Sequence, residues 1–550
     1  MSTPPDRQRI RQRTQDFLKT GSQFRLGELV TESANTTTYN LSELSQTDLP
    51  RALEVFKNVE FDALETLKEK EDVASELIES FEKCLNRGRR IFLCGCGATG
   101  RLALVLESVW RQAPREGFEN SVIAFTAGGD YALVRSLGVF EDRPDLGAKH
   151  LLDLGFQNGD MLVAITEGGE TPFVLGALDQ ATRTSDAMSW LLFCNPEGLL
   201  KKLVERSRLA IENPRVRSEG FEIEPMALTG STRLQASSVL MAFVGICLRD
   251  LATRLKYQWL ISELIDRVGQ VVTPELQSLI EIESETHLRD EYTLHRSRSA
   301  AMAVLTDTTE RAPTFCLVPF EAAQEGSAGD TPKAPSPVSR TYLEIPRTKT
   351  PKEAWRHLLR RDPRPFEKPP TIQAPEIGLN EIYQFDFSDG VASRRDLMGA
   401  KTTTEIDVEF LNETDATEKP TLLFRATSNF NGKALRHDVV SETSRDPLIR
   451  QCQMKFALNM QSTLAMGRIG RFHGNLMTFV RPTNGKLIDR ALRTLRALAQ
   501  EEARKNPDSK ISKLVMTTDE EPFLDAIFEA LDSVAPDEAV TLRALDLLRR

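Results

Sequence analysis

Three short turns bring hydroxyls and backbone amides together in a pattern that suits anion binding. Gly95-Cys96-Gly97-Ala98-Thr99-Gly100 follows the apolar run 91–94 and precedes the helix-forming run 101–106. A turn so placed sits at the positive end of a helix dipole with N–H groups unused by the helix, where a phosphate can be held. Gly97, Ala98, Thr99 and Gly100 are its candidate ligand contacts. In Thr166-Glu167-Gly168-Gly169-Glu170-Thr171, donors come from Thr166, Gly168, Gly169 and Thr171. Glu167 and Glu170 would repel an anion there, unless they turn outward or Glu170 meets a sugar hydroxyl; the bland alternative is a polar turn. Thr229-Gly230-Ser231-Thr232-Arg233 precedes a third helix, with Ser231 or Thr232 either capping it or adding a further anion donor.

Gly95, Gly97 and Gly100 also satisfy G-x-G-x-x-G. A dinucleotide site of that kind needs an acid at the end of the second strand to hold the ribose. The second strand ends at Phe125-Thr126-Ala127, and Asp130 arrives only after a Gly-Gly turn. A phosphate cradle with Thr99 fits these residues better than a dinucleotide site, and a purely structural turn is the third reading.

The elements that must position these turns alternate. Strands are expected at 90–94, 121–126, 161–165 and 189–194, with helices between them, one opened by Pro172. Apolar strands in a β-α-β-α order imply a parallel sheet covered on both faces, with ligands at the carboxyl ends of its strands. Residues 47–88 and 233–283 read as helical, 447–503 as helix-rich and 511–550 as a small helical tail. Residues 322–339 and 363–375 are rich in chain breakers, the first expected to be a disordered insertion. Residues 233–241 and 452–460 are similar in character, a weak sign of internal repetition.

At 550 residues the chain is too long for one core. Its net charge of −10 argues against nucleic acid or an anionic membrane as partner. No uninterrupted apolar run reaches the roughly 20 residues of a membrane span. The seven cysteines, at 84, 94, 96, 194, 247, 316 and 452, fall mostly inside apolar runs, as reduced core thiols do. They and the six histidines show no zinc spacing, so neither a metal nor a cofactor is expected.

Taken in order, 95–102, 127–130, 171–174 and 228–233 resemble the sugar isomerase (SIS) family. More narrowly they resemble the group joining N-acetylmuramic acid 6-phosphate etherase with the glucokinase regulatory protein. Residues 29–35, 474–477 and 483–487 are similar to that group too, whereas 290–445 match it thinly. The resemblance implies one site built from two SIS units. It places Glu141, in Phe140-Glu141-Asp142, and Glu310, in 307–314, as paired catalytic carboxylates, with Lys486 reaching the ligand from the C-terminal region. Eliminating a lactyl ether needs one carboxyl to remove a proton and one to protonate the leaving oxygen. Glu141 is expected as the base and Glu310 as the acid. The chain departs from the group at Ala98-Thr99, at Glu167 and Glu170, and at Gln235. Residues 294–300 lack the glycines of a second phosphate loop, so the second unit is expected to be degenerate, leaving one ligand site per chain.

The expected fold is therefore α/β, with two SIS-type doubly wound parallel-sheet units and a helical C-terminal cap. The expected divisions are an N-terminal extension at 1–50, a first SIS domain at 51–255, linker helices and a second, degenerate SIS domain at 256–470, and the cap at 471–550. The expected activity is ligand sensing by a sugar-phosphate binding protein of the regulatory type, with a sugar kinase as protein partner. The alternatives are an etherase-like lyase and a sugar phosphate isomerase. A cytoplasmic monomer is expected, with nuclear access open to it.

Overall fold

The computed structural model describes residues 6–271, 273–289, 291–317, 341–372, 376–389, 403–415, 417–430, 433–517, 519–535 and 538–550. The expected insertion at 322–339 lies outside them. Strands β1 (Ile91–Gly95), β2 (Val122–Thr126), β3 (Met161–Ile165), β4 (Ser189–Phe193) and β5 (Val216–Gly220) form one parallel sheet in the order β2-β1-β3-β4-β5. β1 to β4 are buried at every residue, as a sheet covered on both faces requires. Alternate side chains supply two cores. Leu93, Val163 and Leu192 join the larger apolar cluster, while Phe92, Leu162 and Phe193 join a second cluster with Phe140 and Phe173.

The second sheet runs β10-β9-β8-β6-β7. Its strands are β6 (Tyr292–Arg296), β7 (Thr341–Glu344), β8 (Thr403–Leu411), β9 (Thr421–Phe430) and β10 (Lys433–Glu442). β7, β6 and β8 are parallel, but β8, β9 and β10 are antiparallel neighbours, with Phe424 opposite Val439. The second sheet is thus mixed, parallel over β7, β6 and β8 only, where a fully parallel sheet was expected.

Helix Gln235–Thr253 has the length and composition of a membrane span, despite Arg249 and Asp250 near its end, yet it is buried in the protein core. It packs on helix Pro447–Arg468, so the two weakly repeated segments meet face to face. Buried ion pairs tie the units together. Arg233 Nη1 lies 3.0 Å from Asp307 Oδ1, and Arg249 Nε 2.8 Å from Asp446 Oδ2. Arg361 bridges Glu107 and Asp130 of the first unit, and Arg364 also pairs with Glu107 at 2.8 Å. The breaker-rich stretch after Pro363 lies on the first unit, where Phe366 packs against Phe140 and His150. Residues 32–35 and 475–493 clasp one another: Glu32 pairs with Arg490 at 2.6 Å and Arg493 at 2.7 Å, and Asn475 donates to the Asn35 carbonyl at 2.8 Å.

Candidate functional site

A cavity of ≈ 370 Å³ opens between the two units at the carboxyl ends of the first sheet's strands. Of the residues expected at the site, Gly97, Ala98, Glu141, Thr171, Ser231, Glu310 and Lys486 line it. Thr99, Gly100, Thr166, Gly168 and Gly169 are not on its wall, and each has a local task. Thr99 Oγ accepts from the Cys96 N–H at 3.1 Å and donates to the Cys96 carbonyl at 2.9 Å, closing its own turn. A Cβ on Gly100 would fall 1.9 Å from Thr126 Oγ, and Gly97 has a φ of 58°. Close packing against β2 and a left-handed turn therefore account for these glycines, while Gly97 and Ala98 bring helix Ala98–Gln112 to the cavity end-on. Thr166 and Thr171 share a hydroxyl–hydroxyl bond of 2.9 Å. The carbonyls of Gly168 and Gly169 accept from Asn195 and Ser207. Asp130 is committed to Arg361, which removes the acid a dinucleotide reading would need. Ser231 does not cap the following helix: its Oγ is buried at the cavity wall with no hydrogen-bond partner.

The acidic residues of the second turn point inward. Glu170 is 2% exposed and pairs with Arg206 at 2.5 Å and Lys486 at 3.2 Å. Burial raises its pKa, but these two cations outweigh burial and leave its carboxyl below the usual range. Glu167 is 5% exposed, and its Oε1 has no partner. Burial pushes its carboxyl up to about 7 against the pull of Lys486, with the Glu310 and Glu141 charges adding to the rise.

Helix Gly485–Lys505 carries Lys486 into the cavity. Its N-cap, Asn484, accepts from Leu487 N–H at 2.9 Å and donates through Nδ2 to Glu141 Oε2 at 2.9 Å. Burial, helped by Glu170 and Asp142, raises the Glu141 carboxyl above its ordinary range despite Lys486. Glu310 comes from helix Ala301–Phe315 of the second unit and lies 2.6 Å from Arg101 Nε. Arg101 also donates to the Ala132 carbonyl at 2.8 Å. The sequence reading missed Arg101 and Asn484. A charged residue entering the apolar run 102–106 was the available signal for Arg101, since such a residue needs a buried partner.

The second unit's counterpart of the glycine turn is closed. Arg298 and Ser299 N–H groups donate to the Glu409 carboxylate at 2.7 and 2.9 Å, and the Ser299 hydroxyl bonds it too. A side chain from β8 thus occupies the position where an anion would sit. Among the described residues, no three His, Cys, Asp or Glu side chains gather as a metal site.

A glycine turn that opens a strand-to-helix crossover of the parallel sheet thus faces a cavity between the two sheets. Residues 74–182 match the family described as the glucokinase regulatory protein N-terminal SIS domain. The chain is 28% identical over 221 residues to an N-acetylmuramic acid 6-phosphate etherase of Francisella philomiragia, covering 40% of this chain and 70% of the relative. It is 34% identical over 219 residues to the etherase of Lactococcus lactis subsp. lactis (39% and 66%), and 30% identical over 220 residues to that of Crocosphaera subtropica (40% and 67%). The match spans about two thirds of these relatives' length. Among solved structures, glucosamine-6-phosphate deaminase of Thermotoga maritima superposes with a TM-score of 0.38 at 13% identity, covering 76% of this chain and 98% of that one. The chain belongs to the SIS family, in the group of N-acetylmuramic acid 6-phosphate etherases and the glucokinase regulatory protein.

Proposed function

We propose that the inter-unit cavity binds a sugar phosphate and that the chain acts on it as a carbon–oxygen lyase, eliminating the group held in an ether on the sugar. The observation that carries this reading is that Glu141 of the first unit and Glu310 of the second face one cavity from different electrostatic settings. An elimination divides its work between a group that takes a proton from carbon and one that gives a proton to the departing oxygen. Glu141 is pushed towards holding a proton, whereas Glu310 is paired with a guanidinium. On that ground we assign proton donation to the departing oxygen to Glu141 and leave proton removal to Glu310, the reverse of the assignment drawn from resemblance. The helix end at Gly97 and Ala98, the unpartnered Ser231 hydroxyl and Lys486 are the groups offered to an anion. Both units contribute, and the closed turn at Glu409 leaves a single such site, which supports a monomer as the working unit.

A regulatory role without turnover is the second reading. It is favoured by the Glu310–Arg101 pair, which a base must leave in order to act. Incubation with N-acetylmuramic acid 6-phosphate and assay of lactate separates the two. Lactate release that disappears in Glu141→Gln establishes the lyase; saturable binding without release establishes the regulator. Absence of binding removes both.

A further inference from the structure

Glu60 is an acid whose burial works against the fold. It lies on helix Leu49–Glu65, is fully buried, and leaves Oε1 without a hydrogen-bond partner. Its Oε2 accepts from the Ser238 hydroxyl at 3.1 Å. Ser238 Oγ also accepts from Lys455 Nζ at 3.0 Å and lies 3.0 Å from the Leu234 carbonyl. A hydroxyl has a single proton to give and two lone pairs. With Glu60 ionised, Ser238 donates to Glu60. With Glu60 protonated, Glu60 donates to Ser238, and the serine proton turns to Leu234. The serine therefore serves either state of the acid. The other end of this chain reaches the ligand cavity. Lys455, on helix Pro447–Arg468, lines a smaller cavity of ≈ 30 Å³ together with Glu310, Arg101 and Arg233. Those last three also line the ligand cavity, so Glu310 stands at both. The smaller volume takes about two water molecules, and Arg233 Nε, buried and without a hydrogen-bond partner, offers them a donor.

We propose that this annex, Lys455, Ser238 and Glu60 form a proton relay that restores Glu310 to its carboxylate after each proton abstraction. This rests on the reading of the chain as a lyase with Glu310 as the base, and it gives the abstracted proton a destination. The Glu310 O–H bond breaks and its proton passes to an annex water, which gives a proton to the Lys455 nitrogen as Lys455 hands one to Ser238. The Ser238 hydroxyl proton moves to Glu60, whose carboxylate becomes a carboxylic acid. Glu310 is then again an anion beside Arg101, Lys455 is again an ammonium, and the net change is one proton moved from Glu310 to Glu60. Held there, the proton is out of reach of the carbon it left. After product departs, the same path run backwards returns it through Glu310 to water entering the emptied cavity. Burial raises the Glu60 carboxyl to about 7 against the pull of Lys455 and Arg233, the charged groups that act on it, and burial lowers Lys455. Acceptor and carrier both suit a proton exchanged near neutral pH.

The test is steady-state release of lactate from N-acetylmuramic acid 6-phosphate by the full chain between about pH 6 and pH 8. Glu60→Gln should lower kcat about tenfold at the alkaline end with KM unchanged. The deficit should shrink towards the acid end, because wild-type Glu60 already holds a proton there and accepts no other. Ser238→Ala leaves the acid in place and removes the link, so it should show the same loss, and the double variant should lose no more than either single one. A merely structural pair would give losses that multiply and do not follow pH. Full kcat in Glu60→Gln at the alkaline end overturns the relay, as do losses that multiply in the double variant. If Ser238→Ala fails to fold, the size and pH dependence of the Glu60→Gln deficit decide alone. If the wild type binds the sugar phosphate but releases no lactate, the lyase reading falls and the relay with it. If the wild type releases lactate and Glu60→Gln matches it, only the relay falls.

Discussion

Replacing Arg361 by methionine tests whether the two units are held by charge as the structure indicates. All five N–H groups of Arg361 are used. Nε and Nη2 reach Glu107 at 3.0 Å each; Nη1 and Nη2 reach Asp130 at 2.5 and 3.0 Å; Nη1 also meets the Asp362 carbonyl at 3.0 Å. The two carboxylates are 1% and 2% exposed, so neither can turn to water when the guanidinium is removed. Glu107 keeps Arg364 and Arg111, but Asp130 keeps only the Arg364 backbone N–H at 2.6 Å as a direct partner. Breaking a buried pair on one side costs about 3–5 kcal/mol, and the Arg361→Met loss should fall there. Adding Asp130→Asn removes the stranded charge and should restore about half of the loss. Guanidinium chloride unfolding followed by tryptophan emission reads it directly, because Trp110 and Trp355 lie buried on the two elements that meet here. The sign with pH is fixed too. Burial raises Glu107, but Arg361 and Arg364 outweigh it and leave the carboxyl below its ordinary value. The stabilisation is therefore present above the unfolded value near 4.5 and lost as pH falls below it, so the wild-type advantage should shrink on acidification. A loss below about 1 kcal/mol, or a double variant no better than the single one, would refute the reasoning.

Glu60 supplies a pH dependence of opposite sign. It is fully buried, and burial raises its carboxyl from 4.5 to about 7 despite Lys455. Its contribution is therefore intact below pH 4.5 and lost as pH rises through about 7, so Glu60→Gln should gain about 2–3 kcal/mol on wild type between pH 5 and 8 in paired urea titrations. A constant difference across that range would show that the carboxyl does not titrate there. Glu409→Ala should uncover the second anion position: millimolar phosphate should raise its melting temperature more than that of wild type, by the linkage of a ligand to the native state. Equal shifts would mean that the Arg298 and Ser299 amides do not form an anion cradle.

Much of the first unit was legible because its rules are local. The run 161–165 is β3 to the residue, and helix Pro172–Thr184 opens at the expected proline. β5, Val-Arg-Ser-Glu-Gly, was missed because it is a polar edge strand with no apolar run to mark it. Most of the β8–β10 meander was missed for a related reason, since strands such as Lys433–Glu442 carry many charges. At the site, residues expected as ligand contacts also answer needs of the backbone. Glycine at 100 answers a packing demand from Thr126, and the Thr99 hydroxyl is spent on its own turn, as local polar side chains commonly are. What a single sequence does not display is a pairing across hundreds of residues, such as Arg101 with Glu310 or Asn484 with Glu141.

The clasp of Glu32 on Arg490 and Arg493 sets an order of events for a growing polypeptide. The helix that carries Lys486 is anchored 458 positions away from its own counter-ion. Local sheet and helix contacts can form as each stretch emerges, but this closure waits until the chain has grown past residue 493. The binding chamber therefore matures after both sheets, and a fragment ending near residue 470 would hold both sheets yet lack a finished chamber.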